Sequence, residues 1–376
     1  AEVDGKSGKE FLTAVVSGYE VQTRIAKDFI PTTQARGFRS SPIYGVFGAA
    51  VCTAKLLGFT EDQMMTTIAL AATSATGTLE TGRTGGTETW LQEPVAARNG
   101  VMAALWAREN AGRGGSETAL EGDAGFYNAF TGNNEGRLSH VFTGPKETRL
   151  DSVVEGLGSH YEMINVTFKP YPTPGYNNPV VDLMASLKHQ HNINPDLVEQ
   201  ITVEVNWLEI NYPSPAFPRQ ELKERRVGTI YYVAAFVCVE GAYPMHGRWY
   251  ESGLGKGEPG ERGEGSKVME LMQRVEVVGS QDRGFFSPKI TITMKDGVSH
   301  IGEFTGQEFK WNFAEDARRL KGLVPGLPIT EKRFEELIET IGKLEQLPDI
   351  RQLLQLSIPV LRQGSLISGR GLSREM

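Results

Sequence analysis

Cysteine is nearly absent: Cys52 and Cys238 are the only two in 376 residues. They lie far apart and inside apolar runs, so they read as small core residues of a reducing compartment. A disulfide framework and a thiolate metal site are both excluded. Long apolar runs are missing as well. No stretch reaches the ~18 residues of a bilayer span, and the opening AEVDGKSGKE lacks the apolar segment of a secretory signal. The cytoplasm is therefore the expected compartment. There is no basic excess either. The net charge is −7, which argues against nucleic acid as a partner because phosphate binding asks for a basic face. A site for a small anion must then gather its own cations locally.

Familiar catalytic signatures are also lacking. The sequence holds no H-E-x-x-H, no C-x-x-C and no G-x-S-x-G. Gly255, Gly257 and Gly260 have dinucleotide-loop spacing, but they stand beside Pro259 in a charged stretch with no strand before it. Gly5-Lys6-Ser7 looks like the end of a phosphate loop without its earlier glycine. His189 and His191 are two residues apart, so on a helix they diverge and read as a solvated helix end. No metal site is expected.

What is present is ordinary globular composition, 39% hydrophobic and 23% charged, arranged in three textures. Up to about residue 164 the pattern is helical. Ser7 and Glu10 have capping-box spacing ahead of Phe11, Leu12, Val15 and Tyr19. A second helix is expected over 46–57, stopped by Gly58. Thr60 and Gln63 repeat the box, and Pro94 suits the first turn of a helix running to about Glu109. From 165 to 325 helices alternate with strands. INVTFKPYP reads as a strand entering a Pro-rich turn, QITVEVN and RVEVV as strands, and 179–189, 229–240 and 266–273 as helices. KITITM-KDG-VSHIGEF reads as a hairpin turning at Asp296-Gly297. Residues 252–265 read as a flexible Gly-rich loop. From 326 the helical period returns. The expected fold is mostly α: a discontinuous all-helical domain, 1–164 and 326–376, with an α+β lid domain, 165–325, inserted into it.

Several stretches carry a resemblance. SGKEFLTAVVSGYEVQTRIA (7–26), GFRSSPIYGVFGAAVCTAKLLGFTEDQM (37–64), LEGDAGFYNAF (120–130) and FKPYPTPGYNNPVVD (168–182) resemble, in order and spacing, signatures of the MmgE/PrpD family. That family contains dehydratases, decarboxylases and epimerases of small carboxylates. The resemblance implies a helical domain with an α+β lid, a site between them, a dimer, and no metal or organic cofactor. It also implies that Lys169, in the Lys-Pro-Tyr-Pro turn, and Tyr232, at the start of the 229–240 helix, are site residues.

Two departures shape the expectation. The family places further residues, including site residues, ahead of the 7–26 helix. These are expected either from a second polypeptide or to be dispensed with. The family histidine after Gly-Phe is Arg39 here, and a site lysine aligns near Thr89. Abstracting a proton beside a carboxylate builds charge on an anion, so it needs a base and fixed cations or donors. Lys169 is read as a cation gripping substrate, or as a base if its pKa is depressed, against the alternative of a surface lysine before a turn. Tyr232 is read as a phenolic proton donor, or else as a core tyrosine beside Tyr231. Arg39 offers a planar fork for a carboxylate, with Arg83 and Thr89 as further substrate-binding candidates. The expected function is a cofactor-independent lyase or isomerase, with dehydration first and decarboxylation or epimerisation as further options. It would be completed by a second chain or by self-association. The alternative is a non-catalytic subunit of a heteromeric enzyme. Without the family's first helices, apolar faces of the 8–28 and 46–57 helices are expected to need a covering partner.

Overall fold

Ser7 and Thr60 cap helices as their spacing predicts, each accepting from the backbone N–H of the residue three further on, whose side chain returns the bond. The computed structural model describes residues 1–109, 114–132, 150–244 and 266–358. The Gly-rich loop at 252–265 and the end of the chain beyond 358 lie outside the described residues.

Capped this way, α1 (Gly8–Ala26) and α4 (Glu61–Ser74) surround α3 (Ser40–Leu56), with the short α2 (Ile30–Ala35) between α1 and α3. Helix α3 is apolar on nearly every side and sits at the centre, with Ile43, Val46, Phe47 and Ala50 fully buried. It begins six residues before the predicted start, with Arg39 as an extended N-cap. Gly58 ends it at φ +71°, as predicted. Beyond α5 (Glu80–Thr84), α6 (Thr89–Glu109) packs along α3, and α7 (Phe126–Thr131) closes the cluster. Pro94 is therefore inside a helix and not in its first turn, so one backbone hydrogen bond is forgone.

The contact between α3 and α6 needs a glycine. A Cβ on Gly100 would stand 2.5 Å from the Val46 carbonyl and 2.6 Å from Ala49 Cβ. Gly100→Ala should push the two helices apart and cost about 1–3 kcal/mol. Urea denaturation reads this directly, and an unchanged midpoint would show slack between them.

Helix α1 is clamped from its other side. The buried Arg24 donates to the carbonyls of Val153 (3.0 Å), Glu155 (2.8 Å) and His160 (2.6 Å) and pairs with the buried Glu20. The other Glu20 oxygen accepts from the Met163 amide at 3.1 Å. Segment 150–163 is thus tied to α1 by one guanidinium and one carboxylate.

The predicted strand at INVTFKPYP does not form. Residues 162–165 make a helical turn, and the chain then runs irregularly into the Pro-rich turn. Pro170 and Pro172 have no N–H to give a ladder. The mixed part begins at α8 (Asn177–His191), followed by β1 (Val198–Asn206), α9 (Trp207–Ile210), α10 (Ile230–Glu240), α11 (Ser266–Met272), β2 (Val275–Ser280), β3 (Lys289–Met294) and β4 (Ser299–Glu303). The sheet order is β2-β1-β3-β4, with β1 parallel to β2 and antiparallel to β3. Ile201 sits opposite both Val275 and Ile292, and α8 and α10 bury that face. The β3–β4 turn falls at Asp296-Gly297, with Gly297 at φ +88°.

Helices α12 (Phe313–Leu320), α13 (Glu331–Gly342) and α14 (Arg351–Ser357) follow. The chain then returns to its beginning: the Gly8 amide donates to the Leu347 carbonyl and the Ile350 amide to the Lys6 carbonyl, both at 2.8 Å. The bulk of the fold is helical around one small mixed sheet.

The apolar faces of α1 and α3 are largely covered by the chain itself, Tyr19 being the large exposed hydrophobic side chain on them. Exposed apolar side chains lie instead on α6, at Trp90, Leu91, Val101 and Trp106. No described helix is long and apolar enough to cross a membrane.

Candidate active site

Arg39 owes its position to the loop between α2 and α3. Its amide donates to the Gly77 carbonyl at 3.1 Å, and the Leu79 amide donates to the Gly37 carbonyl at 2.8 Å. The side chain therefore faces the start of α6. Its guanidinium meets Glu93 at 2.6 Å and Gln92 Oε1 at 3.1 Å, and reaches the Thr89 carbonyl at 3.5 Å. Ser41 Oγ donates to the same Glu93 oxygen at 2.8 Å. Partial burial pushes the Glu93 carboxyl up, but the bonds from Arg39 and Ser41 outweigh it and hold the group below its ordinary value. Thr89 Oγ1 is buried beside this cluster, with no hydrogen-bond partner among the described residues. Arg39 and Thr89 are thus brought together, as members of a niche that already holds a carboxylate.

Arg83 is engaged elsewhere. Its fork closes on Glu80 of its own short helix, at 2.9 and 2.7 Å, on an exposed surface.

Lys169 enters the turn fixed by α8. The Tyr171 amide donates to Asn178 Oδ1 at 3.0 Å, and the Tyr171 hydroxyl donates to Asp182 at 2.7 Å. Asp182 in turn holds Arg319 at 2.7 Å. Lys169 is exposed, yet enough protein crowds its ammonium for desolvation to pull the pKa below its ordinary value. Neighbouring Phe168 stacks on Trp311, centroids 5.9 Å apart, and Arg319 lies over the Trp311 ring at 4.2 Å.

Tyr232 is 1% exposed and belongs to the apolar core around the sheet. Thr229 caps its helix. A line of rings, Tyr171–Tyr243–Phe236–Tyr232, with centroid spacings of 6.2, 5.3 and 5.7 Å, connects it to the Lys169 turn. The Lys169 turn and Tyr232 therefore both belong to the mixed part, and Arg39 and Thr89 to the helical part. The loop after α9 crosses between the two. Phe217 lies 3.8 Å from the place of a Cβ on Gly37, two residues before Arg39, and Arg219 lies 3.4 Å from that on Gly85.

Sequence reading missed Glu93 and Gln92, which reach Arg39 only because α3 and α6 pack together. His189 and His191 are exposed in the last turn of α8, the solvated helix end read from the sequence. The His189 ring also contacts the Gly241 carbonyl at 3.2 Å, and His191 packs on the His300 ring.

Comparison with known proteins adds the following. The MmgE/PrpD N-terminal domain matches residues 1–139. A cis-aconitate decarboxylase-like protein, oryM, of Aspergillus oryzae is 28% identical over 215 residues, 56% of this chain and 42% of that protein. A cis-aconitate decarboxylase of Aspergillus terreus is 30% identical over 196 residues, 52% of this chain and 37% of its own length. The matched stretch is about two-fifths of the length of each relative.

Proposed function

We propose that this chain, which belongs to the MmgE/PrpD family, acts as a lyase, or as part of one, on a small polycarboxylate. Sequence reading puts dehydration first. Relatives named as cis-aconitate decarboxylases make loss of carbon dioxide from cis-aconitate the first reaction to test. The observation that carries the reading is Arg39, whose Nη1 already holds a carboxylate oxygen, that of Glu93, at 2.6 Å.

In this reading a substrate carboxylate takes the place of Glu93 on Arg39, and the buried Thr89 hydroxyl donates alongside it. Lys169 supplies the second cation. Its crowding makes its proton easier to give up than that of a solvated lysine. In decarboxylation the electron pair of the broken C–C bond stays on carbon, which then takes a proton from Lys169. Tyr232, 1% exposed in the apolar core, is left as a packing residue behind the site.

Turnover of cis-aconitate by the purified chain, followed as carbon dioxide released, is the test. Arg39→Lys keeps the charge but loses the two-pronged geometry and should raise KM about tenfold. Lys169→Met should lower kcat by ~100-fold or more. Wild-type kinetics in both variants would remove these residues from the site.

The second reading, a non-catalytic subunit, is favoured by Arg39 and Thr89 standing where the family resemblance places a histidine and a lysine. Under it the purified chain is inactive and turnover returns only with a co-purifying polypeptide.

A further inference from the structure

A second cleft opens where α2 meets the mixed part. Its volume is about 230 Å³, and Ile30 and Pro31 face Tyr176, Tyr212, Phe285 and Phe286 across it. None of Arg39, Thr89, Lys169 or Tyr232 lines it. The polar side chains on its walls are those of Gln34, Tyr176, Glu209 and Tyr212, and no lysine or arginine is among the lining residues.

Two of those groups set what the cleft can hold. Tyr176 is 7% exposed, and its hydroxyl is buried with no hydrogen-bond partner among the described residues. A buried hydroxyl left unsatisfied is costly, and an occupant bearing an acceptor removes that cost. Glu209 is 4% exposed, and both of its oxygens are engaged, one by the Phe286 amide at 2.8 Å and the other by the Asn206 amide at 3.2 Å. It offers an occupant a negative or neutral wall and no cation. Phe286 itself stands at φ +57°, a left-handed backbone that a bulky side chain avoids. The bond to Glu209 holds it there, with its ring against the cleft. Backbone strain of this kind gathers at ligand clamps.

From these observations we infer that the seam between the helical and mixed parts carries a binding site for an uncharged, largely apolar small molecule with one hydrogen-bond acceptor, received by the Tyr176 hydroxyl. The volume corresponds to about eight waters at ~30 Å³ each, enough for a single ring with a short polar substituent. Apolar walls with few placed polar groups are the usual make-up of such sites. The occupant bridges α2 and the loops after α9 and β2. With no cation on its walls the cleft disfavours a carboxylate, and no residue of the Arg39 niche lines it, so this site is separate from that niche and its failure would leave the lyase reading untouched.

Ligand-observed NMR titration of the full chain with acetophenone, set against benzoate of the same heavy-atom count, tests the inference without any mutation. Acetophenone is expected to bind saturably, and benzoate at least tenfold more weakly. Tyr176→Phe keeps the ring and should weaken acetophenone about fivefold. Ile30→Trp, at the half-exposed rim, should fill the cleft and abolish binding. Equal binding of the two probes, no saturable binding of acetophenone, or unchanged affinity in both folded variants would overturn the assignment.

Discussion

Arg24→Met is expected to cost about 3–5 kcal/mol of unfolding free energy. The guanidinium is 3% exposed and ties together three carbonyls of the 150–163 segment and the carboxylate of Glu20. Removing it leaves Glu20 buried without its cation and three acceptors without their donor, and the price of breaking such a network exceeds what the intact pair contributes against apolar side chains of like volume. The double variant Glu20→Leu, Arg24→Met should therefore recover part of the loss. Urea denaturation of the two variants, with limited proteolysis across 150–163, measures both effects. A single variant within about 0.5 kcal/mol of wild type, inside the range of ordinary surface substitutions, would show that the latch contributes little.

Stability should also carry a component in pH that belongs to Glu209. Burial raises its carboxyl from 4.5 to about 7, against the pull of the Phe286 and Asn206 amides. A carboxyl whose folded pKa lies above its unfolded value binds more protons when folded. Its contribution is greatest below about pH 4.5, falls through the window from 4.5 to 7, and is fully lost above 7. The shift corresponds to about 3 kcal/mol across that window. Glu209→Gln does not titrate, so the stability difference between wild type and variant, measured from pH 4.5 to 8, isolates the term. A difference that stays flat, or that moves in favour of the wild type as pH rises, would contradict the burial of an ionisable group there.

Much of the framework is legible because it is written in local chemistry. The boxes at Ser7 and Thr60, the glycine stop at Gly58, the cap at Thr229 and the Asp296-Gly297 turn each involve residues within a few positions of one another. The start of α6 is not, because Pro94 invites a first-turn reading while packing on α3 carries the helix back to Thr89. INVTFKPYP alternates like a strand, but no neighbouring strand pairs with it among the described residues, and its prolines cannot donate. Asn206 and Glu209 do have capping-box spacing and could have marked the helix after β1.

The site is less legible than the fold. Lys169 and Tyr232 entered through family resemblance alone. Nothing local distinguishes Lys169 from a surface lysine, and its crowding exists only once the turn is folded against α8. Glu93 reaches Arg39 from across the bundle, and Glu209 is raised by burial under tertiary packing, bonded to the amide of Phe286 from a different part of the chain. Charge partners made by tertiary packing leave no spacing to read.

The return of the chain to its own beginning has a consequence for the order of assembly. The first turn of α1 is closed by carbonyl and amide groups near Leu347 and Ile350, made about 340 residues after Gly8, so this is a contact of very high sequence separation. A Cβ at Gly8 would overlap the Leu344 carbonyl, so the two segments meet backbone to backbone there, with the buried Leu344 side chain alongside. During synthesis, α1 and α3 can pair as soon as they emerge. The entry to α1 stays open until the sheet and α13 have been made, so a helix that can pair early with α3 is sealed late.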